Sequence, residues 1–280
     1  MHHTPPKRFA LEGVNKTLLL PLWARTKEST QKNPLIMDGQ AERILKALDY
    51  NFSEMDKSLD RYYQLSQVVR AVMTDNEIRT FINIHPDATV VNIGAGLDTT
   101  FERIDNGSIH WYDLDVPDVI ELRRQFIAET ERSRYIPKSV FDLSWFDDIS
   151  SPIHGLLFIA CGVFQYFTGR QVKRLFSDLA TRFPGGEIVF DTMSKFFLIL
   201  GNWIVIKKSG MDRRSFMKWG AKSSKEMTRW DRRFTVVDEY PLFSRIHLDG
   251  SWGKDIIHRM KQANRMRGLN IFHLRFELEC

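Results

Sequence analysis

Residues 89–117, TVVNIGAGLDTTFERIDNGSIHWYDLDVP, limit the possible folds more than any other stretch. Val90 to Ile93 is a short apolar run, interrupted only by Asn92, of the length expected for a buried parallel strand. It stops at Gly94-Ala95-Gly96, where missing side chains let a turn of backbone approach a ligand. A second strand pattern, Ile109 to Leu114, follows and ends in Asp113 and Asp115. A carboxylate roughly 20 residues beyond a glycine turn is the arrangement by which doubly wound folds hold ribose hydroxyls. Strand, glycine turn, strand and acid therefore describe a nucleoside-binding half-domain.

The same stretch argues against a dinucleotide. A third glycine is needed at position 99, where this chain has Thr99, and Asp98 carries the wrong charge for a pyrophosphate. A cationic nucleoside without phosphate, such as S-adenosylmethionine, suits the turn better.

The rest of the pattern extends this half-domain. Pro117 suits the first turn of a helix that turns Val119, Leu122 and Phe126 inward. Third, fourth and fifth strands are expected at Ser139–Phe141, Leu156–Ala160 and Glu187–Asp191. Between the last two, Thr168 and Gln171 have capping-box spacing for a helix ending at Pro184-Gly185-Gly186. Strands alternating with helices predict an α/β, doubly wound, Rossmann-like sheet. Ahead of it, Asp38 opens one helix pattern, and Leu65, Val68, Val69 and Val72 define another with Arg70 on its flank. Phe234–Ile246 and Leu269–Glu277 read as a closing antiparallel pair around a basic helix near 255–267.

The expected organisation is a helical segment over 1–85 packed on the sheet, a Rossmann-like core over 86–194 and 231–280, and an inserted lid over 195–230. Residues 1–13 read as a loose arm, and His2 and His3 have no metal spacing; no metal is expected. Hydrophobic content of 43% with 12% aromatics supports a packed core and argues against disorder. Cys161 and Cys280 lie far apart, and no apolar leader is evident, so a reducing cytoplasm is the expectation. The apolar stretch 196–206 is too short to span a bilayer, so no membrane partner is expected. A net charge of +5 invites a nucleic-acid reading, with basic residues gathered at 207–233 and 254–267. No nucleic-acid-binding signature accompanies them, and a solvated basic face is the simpler account. Oligomeric state is not legible in the sequence.

Several motifs together resemble the leucine carboxyl methyltransferase family, including its polyketide O-methyltransferase branch. They are ARTKES at 24–29, Arg70, VVNIGAGLDTT at 90–100, WYDLDVPDVIELR at 111–123, DLSW at 142–145, FIACGVFQYF at 158–167 and FPGGEIVFD at 183–191. The resemblance implies S-adenosylmethionine as cofactor, with Gly94, Ala95 and Gly96 shaping its turn and Asp115 holding the ribose. It further implies that Asp142 accepts from the adenine amine, that the Leu143 N–H meets a ring nitrogen, and that Arg70 pairs with the methionyl carboxylate. Cys161 stands where relatives often carry Glu, facing the methionine moiety. Arg25 and Tyr166 are candidates to touch the substrate; core or capping roles remain open for both. Asp113 is an alternative to Asp115, and Asp142 has an alternative as a helix cap.

Methyl transfer from a sulfonium is an in-line displacement. A carboxylate acceptor is ionised at neutral pH and needs no base, whereas a phenol, with a pKa near ~10, does. No obvious His or Lys base lies beside the cofactor motifs, and His154 precedes its strand and belongs at the wrong end. The expected activity is O-methylation of a small molecule or polyketide-like acid, at a carboxylate in preference to a hydroxyl; the catalytic residue stays unassigned. A non-catalytic S-adenosylmethionine-binding protein and an RNA-modifying methyltransferase are the alternatives.

Overall fold

The computed structural model describes residues 17–48, 50–150, 154–203 and 216–278. The expected arm at 1–13, residues 204–215 of the expected lid and Cys280 lie outside them. Seven strands form one sheet in the order β3-β2-β1-β4-β5-β7-β6. Strands β1 (Thr89–Ile93), β2 (His110–Asp115), β3 (Ser133–Pro137), β4 (Leu156–Ala160) and β5 (Glu187–Met193) run parallel. Strands β6 (Phe234–Pro241) and β7 (Leu269–Phe276) are antiparallel to each other, and β7 is antiparallel to β5. The chain reverses its strand order around β1 and β4, so a crevice opens at their carboxyl ends.

The elements follow from their residues. Strands β1 and β4 are buried at every position, as expected for central parallel strands with helices on both faces. Helix Gly169–Arg182 buries Val172, Leu175, Phe176, Leu179 and Ala180, an i, i+3, i+4, i+7, i+8 stripe. Its capping box is complete: the Thr168 side chain meets the Gln171 backbone and the Gln171 side chain meets the Thr168 backbone. Pro21 sits in the first turn of helix Leu19–Ser29, where its missing N–H costs nothing.

The third strand lies earlier than the sequence pattern suggests. Residues 133–137, not 139–141, pair with β2, Trp111 against Ser133 and Leu114 against Ile136. This is an edge strand, exposed on one side, so it carries Arg134 and ends in Pro137, residues that hide its strand character. Val140 instead packs into the core behind the sheet's carboxyl edge.

The N-terminal helices are not a separate body. Leu19, Leu22, Trp23 and Ile44 pack in one cluster with Leu97 of the glycine turn and with Leu122 and Ile127 beyond β2. Helix Arg61–Ile84, at 24 residues about 36 Å long, extends this layer across the sheet. Helix Lys195–Gly201 follows β5 and leaves Phe196 and Ile199 exposed. Among the described residues, no helix is long and apolar enough to cross a membrane.

Candidate functional site

A cavity of about 640 Å³ occupies the crevice at the carboxyl ends of β1, β2, β4 and β5. Its walls include the glycine turn, Asp98, Asp115 and the Val140–Phe141 loop. The same cavity is lined by the apolar side chains of Phe196, Phe197, Leu200, Met217, Leu242 and Met266, drawn in part from helix Lys195–Gly201 and helix Lys254–Met266.

The glycine turn is fixed by the strand beside it. The Gly94 N–H donates to the Leu114 carbonyl at 2.7 Å, and Gly94 adopts φ +68°. A Cβ there would lie 2.6 Å from Val163 Cγ2, so the residue must be glycine for both conformation and space. The Gly96 N–H donates to Asp115 Oδ2 at 2.8 Å, and the Val116 N–H to Oδ1 at 2.7 Å. Both contacts fix the orientation of the Asp115 carboxyl, and each oxygen keeps a lone pair for a diol. Burial pushes this carboxyl up, opposed by the two backbone N–H groups.

Asp113 has a different job. It is fully buried and accepts from Arg123 Nη2 at 2.8 Å, Trp111 Nε1 at 2.9 Å and Asn92 Nδ2 at 3.0 Å. Arg123 in turn donates to the carbonyls of Gly96 and Asp98, so this buried pair braces the turn from below. Strand parity alone cannot separate the two acids; their burial does.

Arg70 enters from helix Arg61–Ile84 over Gly162. The φ of +77° and bare Cα at Gly162 make room for it, since a Cβ would meet Arg70 Nη1 at 2.9 Å. Arg70 contacts Asp191 Oδ2 at 3.4 Å and Gln67 Oε1 at 2.6 Å, and its Nε is buried without a partner in the protein. Cys161 and Tyr166 lie in the same wall. Burial pushes the Cys161 thiol up to about 11, with Arg70 opposing, so it is neutral at physiological pH. Burial likewise raises Tyr166, whose hydroxyl bonds to Thr17.

Arg25 belongs to the packing under the turn as well as to the cavity wall. Its side chain is 3% exposed, and its Nε donates to Asp38 Oδ2 at 2.8 Å. Arg103 meets the same Asp38 oxygen at 2.9 Å and grips Asp75 with two bonds. Asp98 lies 3.7 Å from Arg25 and 4.0 Å from Arg103. Burial works against its ionisation, but the two arginines outweigh it and hold Asp98 below the usual carboxylate range.

Asp142 and Leu143 stand outside the cavity lining, which at this point consists of Ser139, Val140 and Phe141. Asp142 caps the short 3-10 helix Leu143–Asp148 by accepting from the Ser144 N–H at 3.2 Å. Of the residues singled out in the sequence, the cavity therefore gathers Arg70, Gly94, Ala95, Gly96, Asp115, Cys161, Arg25 and Tyr166.

Several wall residues carried no sequence signal of their own. Asp191 lies near the carboxyl end of β5, at the same edge of the sheet as Asp115, a position that could have marked it. Tyr62, Tyr63 and Asn270 come from a long helix and from β7, and only the fold brings them here. Asn270 is 1% exposed; its Nδ2 donates to the Arg267 carbonyl at 2.9 Å and its Oδ1 has no partner in the protein.

The residues fit S-adenosylmethionine in kind. A carboxyl ends β2, a side-chain-free turn lies beside it, and an incompletely bonded guanidinium lies in the same cavity wall.

Comparison with known proteins agrees with this picture. Residues 19–180 match the model of the family described as leucine carboxyl methyltransferase. The tetracenomycin polyketide synthesis O-methyltransferase TcmP of Streptomyces glaucescens is 32% identical over 184 residues, covering 65% of this chain and 67% of that one. An S-adenosyl-L-methionine-dependent methyltransferase of Gibberella zeae, dpfgK, is 28% identical over 218 residues, covering 71% and 73%. A solved structure from Thermobifida fusca, assigned as a methyltransferase, superposes with a TM-score of 0.63 over 99% of this chain and 100% of that one. At 12% identity it shares the fold.

Proposed function

The chain belongs to the leucine carboxyl methyltransferase family, and on that premise we propose that it methylates a carboxylate of a largely apolar small molecule. It is an S-adenosylmethionine-dependent O-methyltransferase, a reading supported by one relative named as an O-methyltransferase and another named as an S-adenosyl-L-methionine-dependent methyltransferase. The bound cofactor supplies an electrophilic methyl group. The protein's part is to hold the two reactants in line and keep water out.

Asp115 is assigned to the ribose hydroxyls and Arg70 to the methionyl carboxylate, with Gly94 to Gly96 admitting the nucleoside. Asp142 and Leu143 are assigned to the adenine edge, from outside the lining formed by Ser139 to Phe141. Arg25 is assigned to bracing Asp98 and the turn, because its strongest contact is to Asp38.

The choice of a carboxylate rests on one observation. Among the described residues, neither histidine nor lysine lines the cavity. Burial pushes the Tyr62 hydroxyl up to about 12 and raises Tyr63 and Tyr166, so none serves as a base at neutral pH. A hydroxyl acceptor would need such a base, and an ionised carboxylate does not. The walls built from Phe196, Phe197, Leu200 and Met217 support an apolar skeleton, and the relative named for polyketide synthesis is consistent with a polyketide-like acid.

The test uses cofactor labelled in its methyl group, with extracts and synthetic aromatic acids as acceptors. A methyl ester releases volatile labelled methanol in mild alkali. A product that keeps its label in alkali contradicts the carboxylate assignment.

A further inference from the structure

We propose that Asp191 receives the α-ammonium group of the cofactor's amino-acid tail, so that Arg70 and Asp191 together read that tail as a zwitterion. The inference rests on the S-adenosylmethionine reading above and adds a residue to its site.

Strands β4 and β5 run parallel with Ala160 opposite Phe190. The next residues, Cys161 and Asp191, therefore emerge side by side at the carboxyl edge of the sheet. Both line the cavity, and Arg70 lies against both. The amino-acid tail brings a carboxylate and an ammonium one carbon apart, and burying either without a partner is costly. Arg70 accounts for the carboxylate. The ammonium needs an anion beside Arg70, and the neutral Cys161 thiol is not one.

Asp191 has the required position and freedom. It is 8% exposed, with Oδ1 accepting from the Gly162 N–H and Oδ2 3.4 Å from Arg70 Nη1. That separation is longer than the 2.7–2.9 Å typical of a tight charge-assisted bond. The pair is thus a guanidinium and a carboxylate set next to each other and loosely bridged, the complement of an α-amino acid. Asp98 is another carboxyl of the cavity wall, but two arginines already face it, together with the Thr100 N–H and the Asn92 amide. A third cation gains less there than beside Asp191, which faces one.

The experiment is calorimetry with two ligands: S-adenosylhomocysteine, and its desamino analogue, in which hydrogen replaces the amine and the carboxylate is kept. The unaltered protein is expected to prefer the amine-bearing ligand by about 10- to 100-fold, the range of one hydrogen bond to a charged group. In Asp191→Asn that preference falls to about threefold or less, through loss of S-adenosylhomocysteine affinity while the analogue binds nearly as before. Asp191→Glu, which keeps the charge, restores part of the preference.

A merely structural aspartate gives a different pattern: Asp191→Asn weakens both ligands by the same factor, and that result overturns the proposal. Equal affinity of the unaltered protein for the two ligands also overturns it, and this arm holds even if the variants do not fold. Absence of any S-adenosylhomocysteine binding to the unaltered protein is a distinct failure and removes the cofactor reading itself.

Discussion

Replacing Gly94 with alanine tests whether the glycine turn is built as described. Two separate costs follow from the geometry. At φ +68° an L residue is in the left-handed region, which costs about 1–2 kcal/mol. The new Cβ also falls 2.6 Å from Val163 Cγ2 and 3.1 Å from Cγ1, so Val163 must withdraw by most of an ångström. Overpacking of that kind costs about 1–3 kcal/mol, for a total of about 2–5 kcal/mol. At about 2–4 °C per kcal/mol for a large domain, the melting temperature should drop by about 4–20 °C. Thermal denaturation followed by circular dichroism measures it. The double variant Gly94→Ala with Val163→Ala separates the terms, because it removes the clash and leaves the backbone cost. Recovery of part of the loss is expected. If Gly94→Ala melts within about 1 °C of the parent, the turn is not constrained as argued.

Two further outcomes are expected. Arg70→Ala should weaken S-adenosylhomocysteine binding by about 1.5–3 kcal/mol, roughly 10- to 150-fold, in calorimetry; unchanged affinity in a folded variant returns Arg70 to a structural role. His273 is held between Glu187, at 2.6 Å, and Glu77, at 3.2 Å, and these outweigh burial to raise its pKa from 6.5 to about 9. Its folded-state pKa is raised, so its contribution to stability is full below about pH 6.5 and is lost as pH rises through about 9. The parent's melting temperature should fall across that window and His273→Gln should show a shallower slope there; identical profiles count against the charged network.

What the sequence made legible was mostly short-range. Strand, glycine turn, strand and acid lie in one continuous stretch, and the helix with the capping box carries its own start and stop signals. The misplacement of β3 has a physical cause: an edge strand buries one side, so the apolar run at Val140-Phe141 looked more strand-like than Ser133 to Pro137. The sequence leaves Asp113 as an alternative to Asp115, and the Arg123 contact shows what Asp113 does instead. Arg25 illustrates the opposite difficulty. Its partners Asp38 and Thr99 are brought to it by packing of the N-terminal helices on the turn, and nothing local announces them. Asp191 needed the β4–β5 register before its neighbour Cys161 gave it meaning.

The central claim is that the crevice at β1 and β2 takes a cationic, phosphate-free nucleoside cofactor. The most direct measurement is a pair of calorimetric titrations of the unaltered protein, one with S-adenosylhomocysteine and one with NAD. The absence of a glycine at 99 and the ionised Asp98 under the turn predict saturable binding of S-adenosylhomocysteine and no detectable heat from NAD. Saturable NAD binding with no response to S-adenosylhomocysteine would contradict the account.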